Sequence, residues 1–241
     1  MHLLSSGFTI IGFGAFGKLL ANLLAPIGPI FIYDQRPDVG GEVEGTGFHL
    51  VSHPQEICSG IIILAVPLQG LKDCLLEISP HLHPGQVIMD VCSVKEEPAR
   101  LMQELLPPGV EIIACHPMFG PASAVNGVEG SQVVLCPLRG KTWRKIAAIL
   151  RKRQLTVLVM TAEEHDRHAA QSQGLMHLIA RAILPLGETP MVRTRSHDLL
   201  REALAMVAND SPEVFEAITG RNRHVVEVRS KLIRGLGGVP G

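Results

Sequence analysis

Three features of this 241-residue chain could do chemistry together. In the run Gly12-Phe13-Gly14-Ala15-Phe16-Gly17, the first glycine permits a sharp turn and the second lets backbone N–H groups approach a pyrophosphate. The third lets a helix lie close on a strand. Asp34 follows Gly12 by 22 residues, where a carboxylate accepts bonds from the hydroxyls of an adenosine ribose. His116 holds or releases a proton near neutrality, and Ser93 offers a hydroxyl that could orient it. The chemistry these types suggest is hydride transfer from a hydroxyl-bearing carbon to a dinucleotide, with an imidazole taking the hydroxyl proton. A phosphate loop competes for Gly12 to Lys18, but Leu19 stands where Ser or Thr must hold Mg²⁺.

The elements that must position these residues follow from apolar periodicity. Residues 8–11 and 30–33 read as strands around a helix that runs to residue 25, and 35–47 reads as a loop. Residues 48–51 are a short strand. Residues 61–66 form a continuous apolar run of the kind buried on both faces of a parallel sheet, ending on Val66-Pro67, where a cofactor ring would lie. A helix over 68–79, a strand over 86–90 and a helix over 96–106 follow, with Ser93 just past the strand. Residues 110–114 are a strand leading into a loop that carries His116 and is stiffened by Pro117 and Pro121. The small, polar stretch beyond it, to residue 130, is a loop of the kind that covers a site. Strands at 132–136 and 156–159 flank a helix at 141–152. After residue 162 only helix-period segments remain, at 163–184, 197–208 and 212–236. The fold class is therefore α/β: a doubly wound, mostly parallel Rossmann-type sheet over residues 1–160, then a smaller all-helical domain over 161–241.

Composition excludes several classes. A net charge of −1 proposes no nucleic acid, and the apolar runs are too short and broken to span a membrane. The N-terminus lacks the basic and apolar regions of a signal peptide. Cys58, Cys74, Cys92, Cys115 and Cys136 form no C-x-x-C pair, which suggests reduced thiols and a cytoplasmic location. Eleven histidines show no H-E-x-x-H and no Cys/His ligand cluster, so no metal is expected. From the residues alone, His116 is either a base or a histidine capping a strand end. Ser93 is either an orienting hydroxyl or the N-cap of the next helix, and Arg201 reads as a solvated helix charge.

Gly12 to Gly17, Val66-Pro67, Asp90-Val91-Cys92-Ser93-Val94-Lys95 and above all His116-Pro117-Met118-Phe119-Gly120-Pro121 resemble the prephenate and arogenate dehydrogenases of tyrosine biosynthesis. Glu164-His165-Asp166, His177 and the run from Leu200 to Val207 keep the same order, as in the bacterial branch often fused to chorismate mutase. The resemblance covers about residues 8 to 230. It implies NAD-dependent oxidative decarboxylation of prephenate to 4-hydroxyphenylpyruvate, with His116 as base and Ser93 hydrogen-bonding the hydroxyl. Gly12, Phe13, Gly14, Ala15, Phe16, Gly17, Asp34, Val66, Pro67 and Pro121 would hold the cofactor. Arg201 would clamp a substrate carboxylate, and Gln173 and His177, one turn apart, would line the pocket. His165 and Asp166 are expected to serve structure rather than catalysis.

Arogenate and 4-amino-4-deoxyprephenate are alternative substrates for the same chemistry. Asp34 favours NAD by repelling a 2′-phosphate, although Arg36 could accommodate NADP. A homodimer through the helical domain is expected, although that region, about 80 residues, is short against the family's usual dimerising domain. No chorismate mutase segment precedes Phe8, so a monofunctional chain is expected. A β-hydroxyacid dehydrogenase is a poor alternative, because Lys231 is the only lysine after Lys152. A non-catalytic nucleotide-sensing module is opposed by the presence of His116 and Ser93.

Overall fold

Parallel strands covered by helices on both faces must be apolar on both, and the first strands meet that condition. In the computed structural model, which describes residues 6–187, 190–208 and 210–238, β1 (Phe8–Ile11) is buried at every position. Expectations for the first five residues and the last three fall outside the described residues. Helix α1 (Ala15–Leu24) turns Leu20 and Ala21 inward. β2 (Ile30–Tyr33), α2 (Val39–Val43), β3 (His49–Leu50), β4 (Ile61–Leu64), α3 (Leu68–Ile78), β5 (Val87–Asp90) and α4 (Glu96–Leu105) follow. β6 (Glu111–Pro117), β7 (Gln132–Arg139), α5 (Trp143–Lys152) and β8 (Thr156–Val159) complete the unit. These eight strands form a sheet of the order β3-β2-β1-β4-β5-β6-β7-β8. Its order reverses where β1 lies between β2 and β4, both parallel to it. In such sheets the crevice at the carboxyl ends of the strands beside that reversal is the ligand site. Within these central strands Ile10, Ile32, Ile62 and Leu64 are fully buried, each contributing about 1.5–3 kcal/mol.

Two departures from the sequence expectation bear on the site. Residues 35–47 are not all loop: Val39 and Val43, four apart and both buried, draw the chain into the one-turn helix α2 despite Gly40 and Gly41. β6 does not stop at residue 114. β5 accompanies it only as far as the pair Asp90 and Ala114, whereas β7, antiparallel to it, continues through Cys115 with Leu135, His116 with Val134 and Pro117 with Val133. His116 therefore stands on a strand rather than on a loop.

The chain divides into two compact units after Ala162. The second contains α6 (Ala162–Ala169), which starts at the boundary, α7 (Leu175–Ile183), α8 (Arg195–Ala205), α9 (Pro212–Glu216) and α10 (Val225–Gly237). π turns at Ala170–Gly174 and Ala217–Arg221 interrupt what periodicity alone reads as continuous helix. At the first turn Gly174 presses on Val225, where an added Cβ would lie 2.8 Å from a side-chain methyl. Thr194 caps α8 by accepting the His197 N–H at 3.2 Å, and Ser211 caps α9 ahead of Pro212. Among the described residues, no helix is long and apolar enough to cross a membrane.

Candidate active site

The glycine turn is built for close approach on one side and open space on the other. Gly12 has φ +96°, and a Cβ there would meet the Ala65 carbonyl oxygen at 2.6 Å, so the turn rests on the chain leaving β4. A Cβ on Gly17 would lie 2.0 Å from the Gly12 carbonyl oxygen, which ties α1 to the turn. Gly14, in contrast, is exposed with nothing within 4 Å of the corresponding position. Gly14, the N-cap of α1, has no side chain to cap the helix, so the first N–H groups face that open ground with the positive end of the helix dipole behind them. A pyrophosphate fits this cradle, and a side chain on Gly14 would fill it. Phe13 turns inward, buried edge-on against Phe48 with ring centroids 6.3 Å apart. Ala15 is exposed beside Gly14.

Asp34, just past β2, accepts the Phe13 N–H at 2.6 Å through one oxygen and the Arg36 N–H at 2.9 Å through the other. Burial pushes its carboxyl upward, but these donors and the Arg36 guanidinium outweigh burial and hold it below the usual carboxylate range. Val66 and Pro67 follow β4 and form the next wall, half-buried and exposed respectively. Cys92 Sγ reaches the Val66 carbonyl at 4.0 Å, joining that wall to the chain leaving β5.

Along β6, Ile113 and Cys115 face one side with the main core. By alternation Ala114 and His116 face the other side, the side of Asp90. Past Ala114 the β5 edge of β6 has lost its strand partner, and a buried ion pair takes its place. Lys95 Nζ donates to the Asp90 carboxylate and, at 2.6 Å, to the Cys115 carbonyl. Asp90 accepts the N–H groups of Cys92 at 3.0 Å and of Cys115 at 3.3 Å. Both members of the pair are 0% exposed. Burial pushes Lys95 down, but the adjacent carboxylate outweighs it and holds the ammonium above its usual range. This pair fixes the loop carrying half-buried Ser93 against the strand carrying His116, itself 4% exposed. Its place was not recognised in the sequence, although a buried apolar run ending in an acid, with a lysine five residues on, is a signal that could have shown it. Burial raises the neighbouring thiols, Cys92 upward and Cys115 to about 12, so neither offers a thiolate near neutrality. Phe119, in the loop after β6, lies against Phe16 of α1 at 6.4 Å between centroids, bringing that loop over the glycine turn. Pro121, two residues on, is exposed.

The remaining residues singled out in the sequence belong to the second unit. His177 is 2% exposed and engaged at both ring nitrogens, by the Gln173 carbonyl at 2.9 Å and by Asp210 Oδ2 at 3.0 Å. It is thus more a brace than an open edge. Gln173 keeps a buried side-chain oxygen with no hydrogen-bond partner among the described residues. His165 and Asp166 are buried and 2.8 Å apart, and Asn222 donates to the Asp166 carbonyl at 2.7 Å, so within this unit they tie α6 to the segment before α10. Arg193, Arg195, Arg221 and Arg223 each stand within 4 Å of an acid, at 3.8, 3.5, 3.9 and 3.4 Å. Arg201, half-buried on α8, makes no ion pair among the described residues.

Comparison with known proteins gives these features a lineage. Arogenate dehydrogenase 2 of Arabidopsis thaliana, a chloroplastic protein, is 26% identical over 235 residues, covering 92% of this chain and 66% of its own length. The 4-amino-4-deoxyprephenate dehydrogenase of Streptomyces pristinaespiralis is 26% identical over 243 residues, covering 93% of this chain and 80% of its own. Against the first curated relatives it matches, the chain spans 66%, 41% and 36% of their lengths. The fold is shared with prephenate dehydrogenase from A. aeolicus, solved with hydroxyphenyl propionate and NAD⁺. The TM-score is 0.77 at 18% identity, covering 95% of this chain and 87% of that one. The family model described as "Prephenate dehydrogenase, nucleotide-binding domain" matches residues 45–169, just over half of the chain, a stretch that takes in Val66, Ser93, Lys95 and His116. On this match the chain belongs to the prephenate dehydrogenase family.

Proposed function

We propose that this protein is an NAD-dependent dehydrogenase that oxidatively decarboxylates prephenate to 4-hydroxyphenylpyruvate. The observation that carries the reading is the placement of Ser93 just past β5 and of His116 near the carboxyl end of the neighbouring β6, at the same end of the sheet as an open glycine cradle and Asp34. The Gly12–Gly17 turn holds the pyrophosphate, Asp34 the adenosine ribose, and Val66, Pro67 and Pro121 border the nicotinamide end. When bound, the nicotinamide supplies the hydride acceptor. Ser93 donates to the substrate hydroxyl, and His116 takes the hydroxyl proton as the carbon–hydrogen bond is lost. Loss of CO₂ from the para carbon then sends its electron pair into the dienone. His116 returns its proton to the phenolate, so the step balances and aromatisation makes it irreversible. Holding both groups near attack geometry is what the rigid strand and loop contribute. Purified protein given prephenate, arogenate or 4-amino-4-deoxyprephenate, with NAD⁺ and NADP⁺, tests the assignment by relative kcat/KM. A higher value for either amine-bearing substrate would replace prephenate, and no turnover of any would defeat the reading.

Arg201 is the proposed clamp for a substrate carboxylate, since a guanidinium with no acidic partner among the described residues can bind one bidentately. Arg201→Ala is expected to raise KM by about tenfold or more, the size of one charge-assisted bond, with nucleotide Kd unaltered. An unchanged KM would move the clamp to another arginine. Gln173 and His177 serve the substrate side as a buried support. We also propose a homodimer through the second unit, where Leu186, Met191, Val192, Ile233 and Leu236 leave large apolar surface exposed. Light scattering should give twice the 26.0 kDa chain mass, and a single-chain mass would exclude it.

A further inference from the structure

Four charges meet beyond β2, and one of them decides what the other three can do. The Arg36 guanidinium bonds Asp34 Oδ1 through Nε at 3.2 Å and the Phe13 carbonyl through Nη2 at 3.1 Å. Its two Nη atoms also reach both oxygens of Glu42, at 3.1 and 3.3 Å. Glu42 Oε2 takes Lys18 Nζ as well, at 2.9 Å. Glu42 comes from α2, Lys18 from α1 and Arg36 from the chain after β2, so three segments are joined by one carboxylate. Two cations and two anions cancel. Removing Glu42 alone leaves a net positive charge and two cations without their shared acceptor beside Asp34.

That balance matters for the nucleotide. A carboxylate in the position of Asp34 favours a ribose with a free 2′-hydroxyl, while a nearby arginine accepts a 2′-phosphate. This chain has both, and Asp34 is already covered by Arg36, so neither residue settles the choice alone. The group that does is the one that occupies the cations. Resting on the nucleotide reading above, we propose that Glu42 is the specificity-determining residue for the cofactor. By engaging Arg36 and Lys18 it withholds them from a 2′-phosphate and keeps the pocket selective for NAD over NADP. Side-chain exposures of 43% for Arg36, 46% for Lys18 and 28% for Glu42 leave both cations able to swing to a phosphate once released.

Calorimetric titration with NAD⁺ and NADP⁺, without any substrate, tests this. Wild-type protein should bind NAD⁺ more tightly. Glu42→Gln should lower the ratio of the NADP⁺ to the NAD⁺ Kd by about tenfold or more, the size of one added charge-assisted bond. Glu42→Ala should shift it the same way, and Glu42→Asp should stay near wild type. Adding Arg36→Ala and Lys18→Ala to Glu42→Gln should cancel the gain. A ratio that moves less than threefold in both neutral variants, a gain that survives loss of both Arg36 and Lys18, or a wild type that already prefers NADP⁺ overturns the proposal. Wild-type protein that binds neither nucleotide would instead defeat the nucleotide reading on which it rests.

Discussion

His116→Asn is expected to lower kcat by roughly a hundredfold or more while NAD⁺ still binds, the loss typical of removing a general base. Asparagine keeps a polar group of similar reach on β6 but cannot accept the hydroxyl proton. His116 pairs with Val134 of β7, and Cys115 and Pro117 of the same strand are also paired there, so the substitution should leave the strand in place. The acid limb of the kcat–pH profile should flatten in the variant, since no proton need leave position 116 for turnover. Stopped-flow or steady-state rates with a separate nucleotide titration check both halves. Wild-type kcat in His116→Asn would mean that the proton goes elsewhere.

Lys95→Met should destabilise the first unit by about 3–5 kcal/mol, because it leaves Asp90 charged, buried and without its counter-ion. Thermal melting should show a fall on the order of 10 °C for a unit of this size. The loss differs from a cavity effect, since methionine fills most of the lysine's volume. Asp90→Leu combined with Lys95→Met should therefore recover much of the stability, although the Cys92 and Cys115 N–H groups then lose an acceptor. A double variant no more stable than Lys95→Met would show that these backbone bonds, and not the charge balance, dominate. The sign of the pH dependence follows from the raised lysine. Its folded state holds the proton more tightly than the unfolded chain, so the contribution is full below the ordinary value of 10.5 and is lost only as pH rises through the higher folded value. Lys95 thus keeps its charge throughout the neutral range.

The strands that carry the crevice could be read from the sequence because each is a short apolar run buried on both faces. The glycine turn could be read because its three glycines have separate steric duties, two of which the contacts at Gly12 and Gly17 display. β6 looked shorter than it is because His116 and Pro117 resemble loop residues when β7 is unknown, and it is pairing with a distant segment that keeps them extended. α2 was hidden by its glycines, and with it the carboxylate of Glu42. The partnership of Asp90, Lys95 and Cys115 spans two strands and a loop, so no local window contains it. The interrupted helices of the second unit hid for the same reason: the π turn before Leu175 answers to contact with Val225, some fifty residues on.

The ladder between β6 and β7 closes before the loop that starts at Met118 begins, with Met118 itself taking the Gln132 carbonyl as its last bond. Residues 119 to 131 therefore extend from a hairpin whose base is already sealed, and Val128, Gly130 and Ser131 tie the return of that span to the core and to the chain around the start of β8. Changes among the exposed residues of that span can reshape the mouth of the crevice without displacing the strand that carries His116. The entrance is free to vary while the strand behind it stands still.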